Sequence, residues 1–209
     1  CIDHHAAPHA IEGSLTTIAR ALDRVGIGHL LCHETSDRDG ADIARQSLEE
    51  HERYFASGGK GHVGLHASFT VSDDTLNAAV ALARKYDTGI HIHVAEAASD
   101  QEYCLATYGK TVVRRLQDAG ALDLPKTILG HCIHVNTAEM DIIKETGTMV
   151  VNNPESNMGN AIGICPVIQL HKRGILLGMG TDAYTNDMLE SLKVALCSQR
   201  HNACMPNVG

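Results

Sequence analysis

Short apolar runs that end in polar clusters alternate along this chain with longer segments of helical periodicity. Four of these runs have informative ends: HIHVAE at 91–96, ILGHC at 128–132, VVNNPESN at 150–157 and LLGMGTDA at 176–183. A repeated strand, polar tip and helix is how a parallel (β/α) barrel presents functional side chains at one rim. The pattern therefore predicts an α/β chain.

Seven strand-like segments with helices between them, and no linker, predict one domain over residues 1–209. A closed barrel has eight strands and typically about 250 residues. We therefore expect an incomplete (β/α)8 barrel, of about seven βα units, whose first residues lie inside a strand. A doubly wound open sheet is the alternative, with its ligand at a switch point between two or three strand ends. Polar strand ends all along the chain favour the barrel.

Local signals predict where some of the helices begin and end. The apolar stripe of residues 14–25 predicts a helix opened by a cap at Ser14, and residues 102–119 are predicted as one helix. Thr137 is the predicted cap of the helix that follows ILGHC. Residues 152–167, rich in Asn and Gly, are predicted as a loop that either lines a substrate pocket or forms a well-capped turn.

Composition narrows the class of protein. The chain has 209 residues, 44% of them hydrophobic, and no Trp, which suits a parallel sheet with an aliphatic core. A net charge of −8 argues against nucleic-acid binding. The sequence shows no membrane-length apolar run and no leader, so we expect a cytoplasmic protein. The seven cysteines form no CxxC pair and are expected to be reduced. Cys132 is interpreted as a small apolar residue rather than a thiol nucleophile.

The polar strand ends carry the candidate chemistry. His91 and His93 share one face of a strand, and Glu96 follows where the chain turns toward a helix. His131 and Asp182 end two further strands. Each has a structural alternative: histidines bonded to backbone, Glu96 at a helix N-terminus, and Asp182 as a helix cap. Together they indicate a divalent metal with an open position, as in a hydrolytic site.

The motifs HxHxxE, GHC, NPxSN and GTD, in this order on successive strands, resemble the amidohydrolase superfamily. The similarity is to the mononuclear aminohydrolases of the cytosine deaminase, guanine deaminase and triazine hydrolase kind. The segments IDHHAAP at 2–8 and HETSDRDG at 33–40 are similar to an aminohydrolase associated with selenium metabolism. The resemblance runs along essentially the whole chain.

The resemblance implies one divalent metal, zinc with iron as the alternative. It makes His93 a metal ligand, and Asp182 a ligand and proton acceptor. It implies that Glu96 passes a proton to a ring nitrogen and that His131 orients and polarises the metal-bound water. His66 matches a histidine that contacts substrate.

The NPxSN motif adds three candidate substrate-binding residues, Asn153, Ser156 and Asn157. The implied activity is hydrolysis of C–N bonds other than peptide bonds, as in a deaminase, through a metal-activated water. The implied substrate is an amino-substituted heterocycle or a related amide or amidine, with neither nucleic acid nor a membrane as a partner.

One departure from the family pattern is large. The family takes two further ligands from an HxH motif on its first strand, and this chain has no such segment. We therefore expect a fragment that lacks strand one and is inactive alone. Through its exposed strand edges it either self-associates into a homo-oligomer or is only marginally stable. The alternative function is a non-catalytic barrel that serves as a binding or assembly module.

Overall fold

A computed structural model describes residues 1–208, which fall into two compact units. The first unit comprises residues 1–92 and 118–127, and the second comprises the remaining described residues. The secondary structure is a regular alternation of strands and helices, so the predicted α/β class is confirmed. The prediction of a single domain over residues 1–209 stays a prediction.

Seven short strands form in the described residues, as the apolar runs predict. They are β1 (Ile2–His5), β2 (Leu30–His33), β3 (Val63–Ala67), β4 (Ile90–Val94), β5 (Ile128–His131), β6 (Met149–Asn152) and β7 (Leu177–Met179). Strand β4 begins in the first unit, and its last two residues belong to the second.

Helices separate these strands throughout the described residues. They are α1 (Ser14–Val25), α2 (Ala41–Ala56), α3 (Asp73–Lys85), α4 (Ala98–Tyr108), α5 (Val112–Asp118), α6 (Thr137–Thr146), α7 (Pro154–Gly159), α8 (Val167–Lys172) and α9 (Met188–Ala203). None of the helices in the described part of the chain combines the length and apolarity that crossing a membrane requires.

Strand pairing in the first unit is parallel and follows chain order. β1 and β2 pair from Ile2 opposite Leu30 to His5 opposite His33. Two parallel bridges, from Leu31 to Gly61 and from Thr35 to Leu65, connect β2 with the β3 region. Leu15, Leu31, Leu65, Leu76, Ile90 and Ile92 are among the fully buried side chains of this unit.

The second unit repeats the same arrangement with β5, β6 and β7. Ile128 lies opposite Met149, and Val150 lies opposite Leu177, again in parallel. Leu116, Ile128, Leu129, Ile143 and Leu170 are fully buried here. Because parallel strands present their carboxyl ends at one edge of a sheet, residues that follow β5, β6 and β7 lie along the same edge.

Three local predictions were wrong in detail. Residues 102–119 form two helices, α4 and α5, because Gly109 takes a left-handed conformation and ends the first. Asn136, not Thr137, caps α6, and its side chain accepts a hydrogen bond from the backbone of Glu139. Gly13, rather than Ser14, lies at the N-cap of α1.

A fourth difference concerns the stretch predicted as a loop over residues 152–167. Its first part is the short helix α7, which starts at Pro154. A proline is favoured in the first turn of a helix because its missing N–H would have no partner there and its φ angle already suits the helix. The asparagine-rich composition concealed this helix.

Candidate functional site

His93 and Glu96 stand at the carboxyl end of β4. The strand alternates as predicted, with Ile90, Ile92 and Val94 buried and both histidines half-buried on the opposite face. Ala95 then takes a left-handed conformation, with φ at 46°. This turn brings Oε2 of Glu96 to 3.8 Å from Nδ1 of His93.

His131 ends β5 and is completely buried. Its φ of 65° is unusual for a residue with a side chain and breaks the extended backbone of the strand. Its Nδ1 lies 2.8 Å from Oδ1 of Asn157. The Nδ2 group of Asn157 donates to Asn152, so the oxygen of Asn157 is the atom that faces the ring. Nδ1 of His131 therefore carries the proton and donates it.

Because Nδ1 of His131 carries the proton, the other ring nitrogen, Nε2, is a hydrogen-bond acceptor, and polar groups surround it. Nε2 accepts from the amide of Asn153 at 3.3 Å, and carboxylate oxygens of Glu96 and Asp182 lie 3.8 and 3.6 Å from it. Burial lowers the pKa of His131, as does the neighbouring His93, while Glu96 and Asp182 act in the opposite direction. The result is a neutral, oriented imidazole beside two carboxylates.

Asp182 follows β7 in a left-handed conformation, with φ at 47°. The hydroxyl of Ser156 donates to its Oδ2. The amide of Asn160 in turn lies 3.4 Å from that hydroxyl. The carboxylate is thus oriented by α7, while 28% of its side chain stays exposed. The alternative role of Asp182 as a helix cap does not apply, because Asp187 caps α9.

The donor atoms in this cluster suit a divalent transition metal. One ligand atom each from His93, Glu96 and His131 lies within 4.8 Å of the others. Nitrogen and carboxylate oxygen donors are those that catalytic zinc sites use. The resemblance to the family implied His93 and Asp182 as the metal ligands. In the structure Asp182 joins the group through His131, and the hydroxyl of Ser156 donates to its carboxylate, as groups behind a metal ligand commonly do.

A protein-family model matches the same residues that the structure describes. The Amidohydrolase family model matches residues 1–208. The chain belongs to the amidohydrolase family.

Relatives within this family are deaminases. A 5-methylthioadenosine/S-adenosylhomocysteine deaminase of Thermoanaerobacter pseudethanolicus is 37% identical over 172 residues, which is 79% of this chain and 40% of that protein. A 5'-deoxyadenosine deaminase of Methanothermobacter thermautotrophicus is 31% identical over 196 residues, covering 88% of this chain and 46% of the relative. The chain spans about half the length of the curated relatives it matches.

Solved structures give the fold. A guanine deaminase from C. acetobutylicum with bound guanine superposes with a TM-score of 0.88 at 18% identity, over 99% of this chain and 54% of that one. An adenosine deaminase from Xanthomonas campestris with bound zinc has a TM-score of 0.82 and 26% identity, over 93% and 47% of the two chains. The predicted incomplete (β/α) barrel of metal-dependent hydrolase type is confirmed.

His66 and Cys132 occupy different settings in this amidohydrolase chain. His66 lies near the end of β3 in the first unit, with Nδ1 2.8 Å from the hydroxyl of Thr70 and its ring against Phe69. Its substrate contact stays a prediction. Cys132 is fully buried, and burial raises the pKa of its thiol well above the usual value. A thiol in that state is a poor nucleophile, which agrees with its interpretation as a small apolar residue.

Sequence reasoning missed the residues that fix the turns between the functional side chains. Asp100 is buried, and its Oδ2 accepts a hydrogen bond of 2.8 Å from the backbone of Ala95. This bond holds the left-handed turn between His93 and Glu96. An acidic residue in the first turn of α4 was the available signal, but it is equally typical of a surface helix start.

Glu139 plays a similar part after β5. Its carboxylate accepts from the backbone of Val113 at 3.0 Å and of Asn136 at 3.0 Å, and from the side chain of Gln101 at 2.7 Å. Gln101 also donates to the carbonyl of His134. The segment behind His131 is therefore tied to α4 and α5 by a buried carboxylate, which only the fold reveals.

Proposed function

We propose that the protein containing this chain is a metal-dependent aminohydrolase that releases ammonia from the amino-substituted purine of an adenosine-type nucleoside. One observation carries the proposal: the neutral imidazole of His131, with Nδ1 fixed, presents Nε2 between the carboxylates of Glu96 and Asp182. Family membership and the names of the deaminase relatives support the substrate class.

His93 and Asp182 would hold the metal, zinc being favoured because it is bound in solved relatives. A bound divalent ion supplies a water molecule of lowered pKa at neutral pH. The chain itself supplies the groups that place this water and move its protons. Asp182 accepts a proton at a carboxylate oxygen, and the hydroxyl of Ser156 keeps that carboxylate in place.

Glu96 and His131 then act on the substrate side. Water adds to the sp² carbon that bears the amine and gives up two protons. One passes through Glu96 to the ring nitrogen, and the other passes through Asp182 to the amine, which leaves the same carbon as ammonia. Glu96, which is 28% exposed, can receive a proton and deliver it to a ring nitrogen. His131, held as the Nδ1–H tautomer, would orient the attacking water through Nε2, with the water taking the place of the Asn153 amide there.

We assign Asn153, Ser156 and Asn157 to positioning rather than direct substrate binding. Asn153 and Asn157 each contact one ring nitrogen of His131, and Ser156 contacts Asp182. Polar atoms already engaged in this way are less available to a substrate. Their predicted role as substrate contacts, like that of His66, therefore awaits a complex with a purine nucleoside.

Ammonia release by the full-length protein that carries this chain tests the proposal. Adenosine, 5-methylthioadenosine and guanine form the substrate panel, with zinc supplied. Glu96→Gln keeps the shape of the side chain and removes the titrating group, so kcat should fall about 10²–10⁴-fold. Glu102→Gln, an exposed change of the same charge on α4, is the control and should leave kcat unchanged.

Two outcomes would count against the proposal. Full activity of Glu96→Gln would remove Glu96 from the chemistry. A zinc-loaded protein that releases ammonia from neither adenosine nor 5-methylthioadenosine would reject the nucleoside class, and activity on guanine alone would assign a free purine base instead. Location in the cytoplasm and the absence of a nucleic-acid partner remain predictions.

The alternative function, a binding or assembly module, has one observation in its favour. Apolar side chains are exposed at the start of α9 and beside β7, among them Leu176, Leu189 and Leu192. Apolar clusters of this kind promote association. We propose that the chain forms homo-oligomers through this surface. Sedimentation should show association that Leu189→Glu with Leu192→Glu abolishes, and a monodisperse monomer at micromolar concentration would reject it.

A further inference from the structure

Three soft or borderline ligand atoms converge in the first unit. His4 on β1 lies directly opposite Cys32 on β2 in the strand register. The Cys32 sulfur is 3.6 Å from Nδ1 of His4 and 3.8 Å from Nδ1 of His91. The two imidazole rings meet edge to face with centroids 4.5 Å apart. One ligand atom from each residue lies within 4.8 Å of the other two.

These separations are close to those between ligands of a tetrahedral ion. With zinc–sulfur and zinc–nitrogen bonds of about 2.3 and 2.0 Å, tetrahedral angles place sulfur and nitrogen ligands roughly 3.5 Å apart. The observed values exceed this by only a few tenths of an ångström. The thiol can donate its one proton to the carbonyl oxygen of Asp3 at 3.4 Å, and the two imidazole nitrogens face the lone pairs of the sulfur, which are the electrons that bind a metal.

The surroundings of His4 and Cys32 resemble the support of a metal site. Nε2 of His4, on the far side of the ring from the sulfur, lies 3.7 Å from a carboxylate oxygen of Glu34. Metal-binding histidines commonly have such a carboxylate behind them, which orients the ring and raises its basicity. Glu34 is itself held by Arg38 at 3.1 Å. Beside the sulfur lies Gly64, where a Cβ would come within 2.9 Å of it.

We propose that His4, Cys32 and His91 form a binding site for a thiophilic divalent transition ion, zinc being the natural candidate. Two imidazoles and one thiolate exclude magnesium and calcium, which require oxygen ligands. This site shares no residue with the cluster of His93, Glu96, His131 and Asp182, and it does not depend on the proposed deaminase activity.

Binding follows a simple exchange. The S–H bond of Cys32 breaks, a sulfur–metal bond forms, and the proton passes to solvent. Burial, reinforced by Asp3 and Glu34, raises the pKa of this thiol well above its usual value. The metal-free chain therefore holds a neutral thiol, and only ions with a strong preference for thiolate displace its proton.

Cobalt(II) titration of the 209-residue chain tests the site, because cobalt bound to thiolate gives a near-ultraviolet charge-transfer band. We expect such a band to saturate at one cobalt per chain and to disappear when zinc is added. Cys32→Ser should abolish it, and His4→Gln or His91→Gln should weaken cobalt affinity at least about 10-fold. Cys165→Ser, a buried cysteine change in the second unit, and His93→Gln should both retain the band.

Each outcome of the titration either supports or rejects the site of His4, Cys32 and His91. Absence of the band in the folded unmodified chain, or its persistence in Cys32→Ser, overturns the site. Loss of the band in His93→Gln would show that cobalt binding requires His93 and would overturn the site of His4, Cys32 and His91. If Cys32→Ser fails to fold by circular dichroism, His91→Gln decides, since unchanged cobalt affinity there rejects the site.

Discussion

Two completely buried histidines, one in each unit, are held in opposite ways. His51 on α2 uses both ring nitrogens on backbone: Nε2 accepts from His33 and Gly64 at 3.0 Å each, and Nδ1 donates to the carbonyl of Ser47 at 2.8 Å. His131 has one nitrogen fixed by Asn157, while the other faces an amide and two carboxylates. A histidine whose two ring nitrogens both bond to backbone groups has a structural role. A histidine with one ring nitrogen facing titratable side chains is placed to take part in chemistry.

The backbone repeats this contrast. His51 lies within a regular helix, whereas Ala95, His131 and Asp182 all have positive φ angles at the ends of their segments. Left-handed conformations of residues with side chains cost about 1–3 kcal/mol each and persist where the surroundings enforce them. Three such conformations lie around one set of titratable groups. This indicates that the fold tolerates their backbone strain in order to hold those side chains in position.

The largest expected effect tests His51 as a structural histidine. Burial lowers its pKa from 6.5 to about 3, so the unfolded chain takes up a proton more readily than the folded chain. The free energy of unfolding is therefore unaffected by His51 protonation above pH 6.5. As pH falls from 6.5 toward 3, this free energy decreases by up to about 1.4 kcal/mol per pH unit. Urea unfolding at pH 7, 5.5 and 4.5 measures this loss.

The variant His51→Gln isolates the contribution of this residue. It should be less stable than the unmodified chain at pH 7, and its stability should fall less steeply between pH 6.5 and 4.5. His201→Gln, an exposed change on α9, should preserve the original slope. Identical slopes for His51→Gln and the unmodified chain would show that His51 does not contribute to acid sensitivity.

The next largest effect tests whether Ser156 holds the carboxylate of Asp182 in place. Ser156→Ala removes the hydroxyl that donates to Asp182 and leaves the carboxylate free to rotate. Loss of such a supporting group typically lowers metal affinity about 10–100-fold. Competition between the protein and a zinc chelator measures the change. Ser198→Ala, whose hydroxyl donates to a backbone carbonyl of α9, is the matched control, and an equal affinity loss in both would refute the support role.

Asp100 tests whether the turn after β4 is held by a single carboxylate. Asp100→Ala leaves the backbone N–H of Ala95 without its acceptor, which should cost about 1–3 kcal/mol of unfolding free energy. Asp100→Asn retains an acceptor oxygen and should cost less. Chemical denaturation measures both, with the exposed Glu102→Ala as control. Equal stability of Asp100→Ala and the unmodified chain would mean that the turn is fixed by other contacts.

Much of the fold could be predicted because each strand and helix carries its own period. The alternation in HIHVAE placed His91 and His93 on one face, and the apolar runs located all seven strands of the described residues. The polar strand ends likewise brought His93, Glu96, His131 and Asp182 into consideration, and the structure brings these side chains together.

The remaining features depend on contacts between distant parts of the chain. Asn157 could be singled out by its motif, but not the hydrogen bond that fixes the tautomer of His131. Asp100 and Glu139 matched ordinary helix starts, so their buried hydrogen bonds were invisible. The pairing of His4 with Cys32 arises from strand register, which a single sequence does not specify.

The smallest expected effect concerns the segment after His131, where the predicted and observed caps differ by one residue. The side chain of Asn136 accepts from the backbone N–H of Glu139, and the carboxylate of Glu139 accepts from the backbone N–H of Asn136. Asn136→Ala should therefore cost about 1 kcal/mol, whereas Thr137→Ala should be nearly neutral. Thermal or urea unfolding distinguishes the two. Zinc affinity should stay unchanged in both, because neither side chain belongs to the cluster of His93, Glu96, His131 and Asp182. A larger loss for Thr137→Ala would restore the sequence-based cap, and a fall in zinc affinity for Asn136→Ala would show that this cap also positions His131.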